Sequence, residues 1–582
     1  MNRRSYNDSS VRLFYNGTLK GEVNLGSVMS HRAQRRLWRI YPVLGLIFLC
    51  SCSHQAELQK TSVGPLFSLE IKAAAADAFF REGCYVGFKK ALVIYDELYP
   101  RLAIRNRITV PYLKALILMS VRENELGILN DKYIRRSREI INENPSLQPF
   151  IPYVELTEAM PLKTKGIMKD IDVMATVKIV NDNLKDPRLK GDMKLKALSD
   201  DYFAYLYTSF CLGFSNYLDG KDDLSEFKEL FPNSILMKYR NATTYPHQDA
   251  EALKILAQAE SDFYEAYFHL GELAIGQDKP LDVENDSLKP IDAERYFLKA
   301  LEGIPELSQA TIYLGAIYMA EEEYDSSLDY YEKTISLAPG YRDALLGKAS
   351  CLSYLGKHLE AIKILNEITA MGYYLIGESH YWLAWNYYQI KENEKAQDHV
   401  EESKVRLPTN SEVFSLAGAI ALEKNQLAIA EREFEDALRF NGRNINAVLG
   451  LGQVYAAEQK WIESALFYAT GARLASQRIN EKDEFIVQIE KAALDEGRIS
   501  RMVAKRKQQI TSLESTMAFC FYSSSVGYFK SGQKGRALEL ALKAAVNPQY
   551  KESAEDLIKK IKHKDHIDGK DRSVFDDLNP GR

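Results

Sequence analysis

Residues 309–340 read QATIYLGAIYMAEEEYDSSLDYYEKTISLAPG, and that pattern returns six times between Tyr264 and Ala472. One small position is occupied by Gly271, Gly315, Ala349, Ala384, Gly418 and Gly452; after the first gap its spacings are 34, 35, 34 and 34. A second small position holds Ala293, Ser327, Ala361, Ala396, Ala430 and Ser464. Four residues after it comes a large apolar one: Phe297, Tyr331, Leu365, Val400, Phe434 and Tyr468. Pro305, Pro339, Pro408 and Gly442 close several units. The spacing predicts a helix, a turn and a second helix in each unit. Small residues belong where two helices cross, because a larger side chain pushes the axes apart. A proline just past a helix end stops it. A unit of this size cannot bury its apolar face alone, so units must stack.

Leu270-Gly271, Leu314-Gly315 with Tyr318, Leu383-Ala384 with Tyr387, and Leu451-Gly452 with Tyr455 resemble the tetratricopeptide (TPR) signature. Ala293, Phe297, Ala300 and Pro305 in sequence do so too. The resemblance covers somewhat more than a third of the chain. It implies an all-α fold, a helical-hairpin solenoid wound as a right-handed superhelix, with the first helix of each unit lining a concave groove. The first unit departs from the pattern. Between its helices, Gly276 to Asp292 (GQDKPLDVENDSLKPID) has the composition of a surface loop. Phase resumes at Ala293, so the insertion is expected to bulge outward.

Upstream, Arg32, Arg35, Arg36 and Arg39 precede an apolar run from Tyr41 to Cys50. A membrane-spanning helix needs about 20 apolar residues, and this run is half that, as in the apolar region of a signal peptide. It ends Leu49-Cys50-Ser51-Cys52, which resembles the bacterial lipobox. The resemblance implies that the Cys52 thiol takes a diacylglycerol and becomes the first mature residue. Ser53 after it is the choice associated with the outer membrane, facing the periplasm. Met29 would start a signal peptide of ordinary length, which makes residues 1–28 an extension or an over-called start.

The chain is read in six parts. Residues 1–51 are the signal region and 52–66 a lipid-attached tether. A divergent, TPR-like α-helical module covers 67–247, where Tyr85, Ala91, Leu92, Tyr95 and Leu98 look like a degenerate unit. Within it, Pro111 to Leu126 reads as an amphipathic helix. Asp200 to Tyr217, rich in aromatics, reads as a buried one, and prolines 145, 149, 152 and 161 are breakers. The six-unit array spans 248–475, with its insertion at 276–292. Helices with a capping TPR-like unit follow at 476–561, where Gln477 to Ser512 is one long helix or a short pair. The tail at 562–582 is charged and poor in apolar residues, the composition of disorder.

At 46% hydrophobic and 27% charged, the 582 residues have the make-up of an ordinary folded protein. Net charge is −5, and residues 1–51 carry eight Lys/Arg against two Asp/Glu, so the remainder is near −11. An acidic body argues against nucleic acid as partner and against broad adhesion to anionic lipid. Cys84, Cys211, Cys351 and Cys520 are far apart without CxxC spacing, and read as buried thiols. The sequence carries no GxxxxGK[ST], HExxH or GxSxG. His269, His380 and His399 fall inside repeat helices as packing or surface residues. No enzyme activity, cofactor or metal is expected.

What the array offers is the groove. Carried over from the TPR pattern, its lining includes Tyr354 in the third unit, Tyr381, Trp385, Tyr388 and Gln389 in the fourth, and Gln453 in the sixth. HYWLAWNYYQI (380–390) sets three aromatics on one face at spacings of four and three. Exposed Tyr and Trp are what binding hot spots use, whereas packing against a neighbouring helix is the plainer reading. The functional expectation is a lipid-anchored envelope scaffold holding an extended peptide or a helix of a partner protein. The alternative is an accessory lipoprotein that binds a small ligand or glycan for uptake.

Overall fold

The computed structural model describes residues 65–160, 173–215, 217–218, 224–244, 248–259, 262–276, 289–372, 376–491 and 496–563. The signal region, Cys50, Cys52, the tether up to residue 64, the insertion from 277 to 288 and the tail from 564 lie outside them. The chain divides into two compact units, Met1–Pro65 and Leu66–Arg582, and the repeats belong to the second. The described residues of that unit form helices and no strand.

Six hairpins follow one another from Tyr264. They pair Tyr264–Ile275 with Lys289–Gly303, Ser308–Ala320 with Tyr324–Leu337, and Arg342–Tyr354 with His358–Ala370. They continue with Ile376–Gln389 and Asn393–Arg406, Ser411–Glu423 and Leu427–Phe440, then Ile445–Ala457 and Trp461–Lys491. Each helix packs on the one before and the one after. The chain is a TPR-type helical-hairpin solenoid with a divergent helical module before the repeats.

The crossing points show why the small positions recur. A Cβ on Gly271 would lie 2.5 Å from the Phe297 ring, one on Gly315 2.8 Å from Tyr331, and one on Gly418 2.7 Å from Phe434. Glycine therefore stands wherever the large position is a ring. Where the large residue is only Leu365 or Val400, the small one is Ala349 or Ala384, and all four are buried. Size is matched pair by pair, as close packing requires. The second small position is buried in every unit. Where it is serine, the hydroxyl donates to the carbonyl of the crossing glycine: Ser327 to Gly315 at 2.7 Å and Ser464 to Gly452 at 2.8 Å.

The turns repeat as well. Glu322, Gly356, Lys391, Asn425 and Gln459 each have positive φ at the end of a first helix. The next residue in each case donates its N–H five residues back, as in Glu323 to Tyr318 and Lys357 to Leu352. This is the Schellman closure, and four of its five left-handed residues are not glycine. A sixth such turn, with Gly532 at φ 85° and Gln533 donating to Tyr528, joins Glu496–Lys530 to Lys534–Ala544. Ala537, Ala541 and Ala544 pack beneath it, ahead of Pro548.

Three local expectations change. Pro111 does not start a helix but lies inside Leu102–Leu126. That helix is not amphipathic, since Ala115 through Glu123 are buried without a break. Neighbouring helices cover it on several sides, including Tyr85–Leu98, Lys132–Glu143, Ile151–Ala159 and Asp201–Gly213, and a helix apolar all round is a buried one. Pro145 and Pro152 open helical segments, Pro145–Phe150 and Ile151–Ala159, at the first turn where a missing N–H is harmless. Finally, Trp461–Lys491 runs unbroken past residue 475, and Gln477 to Ser512 belongs to two long antiparallel helices. The period ends there because these helices pack on each other instead of on another 34-residue unit.

The module is joined to the array by a buried polar network. Arg122, 0% exposed, pairs with Glu265 of the first repeat helix and lies 3.9 Å over the Tyr239 ring. Its Nε donates to Tyr205 at 3.0 Å. Glu265 also accepts the Tyr85 N–H at 2.7 Å, at the start of helix Tyr85–Leu98. Arg240 pairs with Glu125 beside it.

Candidate partner-binding surface

The first helix of the fourth unit, Ile376–Gln389, carries most of the expected groove residues. Tyr381 and Trp385 are half-buried and belong to one aromatic cluster with Tyr354. The Tyr354 ring lies 6.0 Å from Trp385 and stacks on Tyr324 at 4.5 Å with planes 12° apart. Trp382 fills the middle. It meets Tyr354 at 5.3 Å, Tyr381 at 5.3 Å and Trp385 at 5.8 Å, each nearly edge-to-face. His358 adds its ring against Trp385 at 5.6 Å. Such ring pairs contribute about 0.5–1.5 kcal/mol each beyond their burial, so the cluster is rigid. Tyr354 stands at its edge, 49% exposed.

The other expected residues fall elsewhere. Tyr388 is half-buried under a different set: Lys391 lies 5.1 Å over its ring and pairs with Glu423 of the next unit at 2.6 Å. Burial and that carboxylate push the Tyr388 phenol up to about 12. Gln389 and Gln453 are exposed, Gln453 two units further on.

Trp382, Tyr324 and His358 were not among the expected residues. Trp382 occupies the position that is Gly347 in the third unit and Gly450 in the sixth. Those glycines make room for the tips of Tyr331 and Phe434, into which a Cβ would run. The unit before Trp382 offers only Leu365, and the indole takes the space left, packed with Leu365 and Leu383. The shortened Leu365 was the one available signal.

Acidic side chains edge the cluster. Burial pushes the Tyr354 phenol above its ordinary value, with Glu412 and Glu322 adding to it. Tyr381 is raised by burial first and by Glu412 next. On the other face of the unit, His380 and His399 set their Nδ1 atoms 2.9 Å apart, and Tyr387 stacks on His399 at 4°. Burial lowers both imidazoles. His269 is buried between Tyr239 and Glu272, at 2.8 Å from each. Among the described residues no group of three or more His, Cys, Asp or Glu is placed to hold a metal ion. Cys84, Cys211, Cys351 and Cys520 are buried thiols outside any disulfide. No described helix is long and apolar enough to cross a membrane.

No family model matches the chain. Over 186 residues it is 24% identical to human protein O-mannosyl-transferase TMTC1, a stretch covering 31% of this chain and 21% of that protein. Over 154 residues it is 29% identical to the bovine BBSome complex member BBS4, covering 26% and 28%. The matched stretches thus span under a third of either curated relative. Among solved structures, YrrB, a TPR protein with an unusual peptide-binding site, is similar over 34% of this chain and 97% of its own, at 16% identity and TM-score 0.28. The Cut9 and Hcn1 hetero-tetramer of the APC/C is similar over 86% and 96%, at 13% identity and TM-score 0.37. Yeast Tom70 is similar over 85% and 95%, at 14% and 0.31.

Proposed function

We propose that the protein is a lipid-anchored scaffold of the bacterial cell envelope. In this reading its repeat array holds an extended or helical segment of a partner protein and carries out no turnover. The observation that carries the binding role is the edge of the aromatic cluster. Four rings fix one another, while Tyr354 keeps half its surface in water at the end of a first helix. A rigid ring held in place loses little conformational freedom when a partner covers it, which is the property of a hot spot. The anchoring role rests on the apolar run and Leu49-Cys50-Ser51-Cys52, with Ser53 favouring the outer membrane and the array facing the periplasm.

Two measurements test the two halves. A photo-crosslinking residue at Tyr354, Trp385 or Tyr388 in living cells is expected to give a discrete protein adduct. Silence from all three positions, with the protein abundant, counts against a partner-binding groove. Metabolic labelling with an alkyne fatty acid is expected to mark the wild type and to disappear in Cys52→Ser; equal labelling of both rejects the anchor.

A further inference from the structure

The two long helices that end the array double back on it. Arg506, 4% exposed, lies 2.9 Å from the Glu321 carboxylate. Lys505 donates to the Glu322 carbonyl at 3.3 Å, with its ammonium 3.7 Å from that residue's carboxylate. Glu321 and Glu322 form the turn inside the second unit, four units before the one from which the hairpin springs. The turn reads Glu321-Glu322-Glu323-Tyr324-Asp325, and the helix facing it carries Arg501, Lys505, Arg506 and Lys507. A turn of one sign therefore meets a helix of the other.

The same turn borders the aromatic cluster. Tyr324, two residues past Glu322, is the ring on which Tyr354 stacks. Glu412 of the fifth unit adds its negative charge, raising both the Tyr354 and the Tyr381 phenols after burial. The acidic turn and the half-exposed Tyr354 are thus joined through the Tyr324 ring. That surface fits a cationic side chain beside an apolar one, by charge complementarity and by cation–π attraction to the tyrosine face.

We propose that this surface takes a basic segment of a partner protein, with Lys or Arg pairing to Glu321 and Glu322 and an apolar side chain covering Tyr354. Lys505 and Arg506 hold the acidic half of the surface while no partner is bound. The inference rests on the groove reading under Proposed function and adds the chemistry of the segment and the chain's own stand-in for it. A latch closed nine times in ten lowers apparent affinity about tenfold.

The test uses full-length protein and a fluorescein-labelled peptide of this chain's residues 496–510, EGRISRMVAKRKQQI. The variant K505E/R506E, which repels its own latch from the acidic turn, is expected to bind the peptide at least tenfold more tightly than wild type. Adding Tyr354→Ala is expected to remove about tenfold. A peptide with Glu at the positions of Lys505 and Arg506 is expected not to bind. Equal affinity of wild type and latch variant, or no loss from Tyr354→Ala, overturns the proposal. Should the charge-reversed variant fail to fold, E322C/K505C provides a second route. Joined by a bismaleimide it is expected to lose the peptide at least tenfold relative to the unjoined protein, and unchanged binding overturns the proposal equally. Cellular adducts at Tyr388 without peptide binding would sink this inference and leave the groove reading standing. Absence of adducts at every groove position sinks the groove reading itself.

Discussion

Arg122 is a residue whose role is set entirely by what surrounds it. It is fully buried, so its partners replace water: the Glu265 carboxylate, the Tyr205 hydroxyl and the Tyr239 ring face. Arg122→Met is expected to cost about 3–5 kcal/mol, because it strands a buried carboxylate. In R122M/E265Q much of that loss should return, since the amide oxygen can still accept the Tyr85 N–H. Urea unfolding reads both, and a single-variant loss below about 1 kcal/mol would refute the assignment. Two titrations carry opposite signs. Burial pushes the Glu123 carboxyl up to about 8 from 4.5. Its contribution to stability is whole below pH 4.5 and is lost as pH rises through 8. His380 and His399 have lowered values, so they stay neutral in the fold while the unfolded chain takes protons below about 6.5. Thermal melts across pH should therefore show Glu123→Gln gaining on wild type as pH rises, and His399→Gln gaining as pH falls. Parallel profiles would reject both assignments. None of these partnerships was legible in the sequence, where Arg122, Glu123 and Glu125 look like the polar face of a helix. Five helices, Tyr85–Leu98, Leu102–Leu126, Asp201–Gly213, Ile235–Thr243 and Tyr264–Ile275, converge there, and nothing local records it.

At the scale of helices, the sequence was informative where a geometric need repeats. The 34-residue recurrence of small and large positions marks the crossings because every crossing meets the same steric demand. The pairing of glycine with rings and alanine with Leu365 or Val400 can be tested directly. Gly418→Ala places a methyl group 2.7 Å from the Phe434 ring, an overpacking expected to cost about 1–3 kcal/mol. Adding Phe434→Leu should relieve that overpacking, so the double variant costs less than the sum of the two singles, although it opens a gap over Gly450 of the kind that Trp382 fills beside Leu365. A strictly additive double variant would mean that the two positions do not share the crossing. The same logic shows what the repeat pattern hid. Groove positions carried over by register picked out Tyr381 and Trp385 but passed over Trp382, whose place follows from the neighbour's Leu365 and not from its own unit.

On the scale of the whole chain, the long hairpin changes what kind of object the repeats make. An open solenoid is stabilised by neighbour on neighbour and can fray from either end. Here Lys505 and Arg506 tie the last unit's hairpin to the second unit, across some 183 residues of chain. The period could not announce this, since the contact joins residues with no counterpart in other units.

The size matching at the crossings also bears on heredity. Repeats multiply and vanish by unequal exchange, and a uniform 34-residue period would suggest that any unit can be dropped in register. The interface between the second and third units resists such losses. Removing the third unit alone would bring Tyr331, whose ring tip needs the bare backbone of Gly347, against Trp382. Removing the third and fourth would set it against Leu416. Only a deletion of the third through fifth units delivers another glycine, Gly450, to receive it. The place of the third unit after the second is thereby written into their interface, by the fit of one ring into one gap.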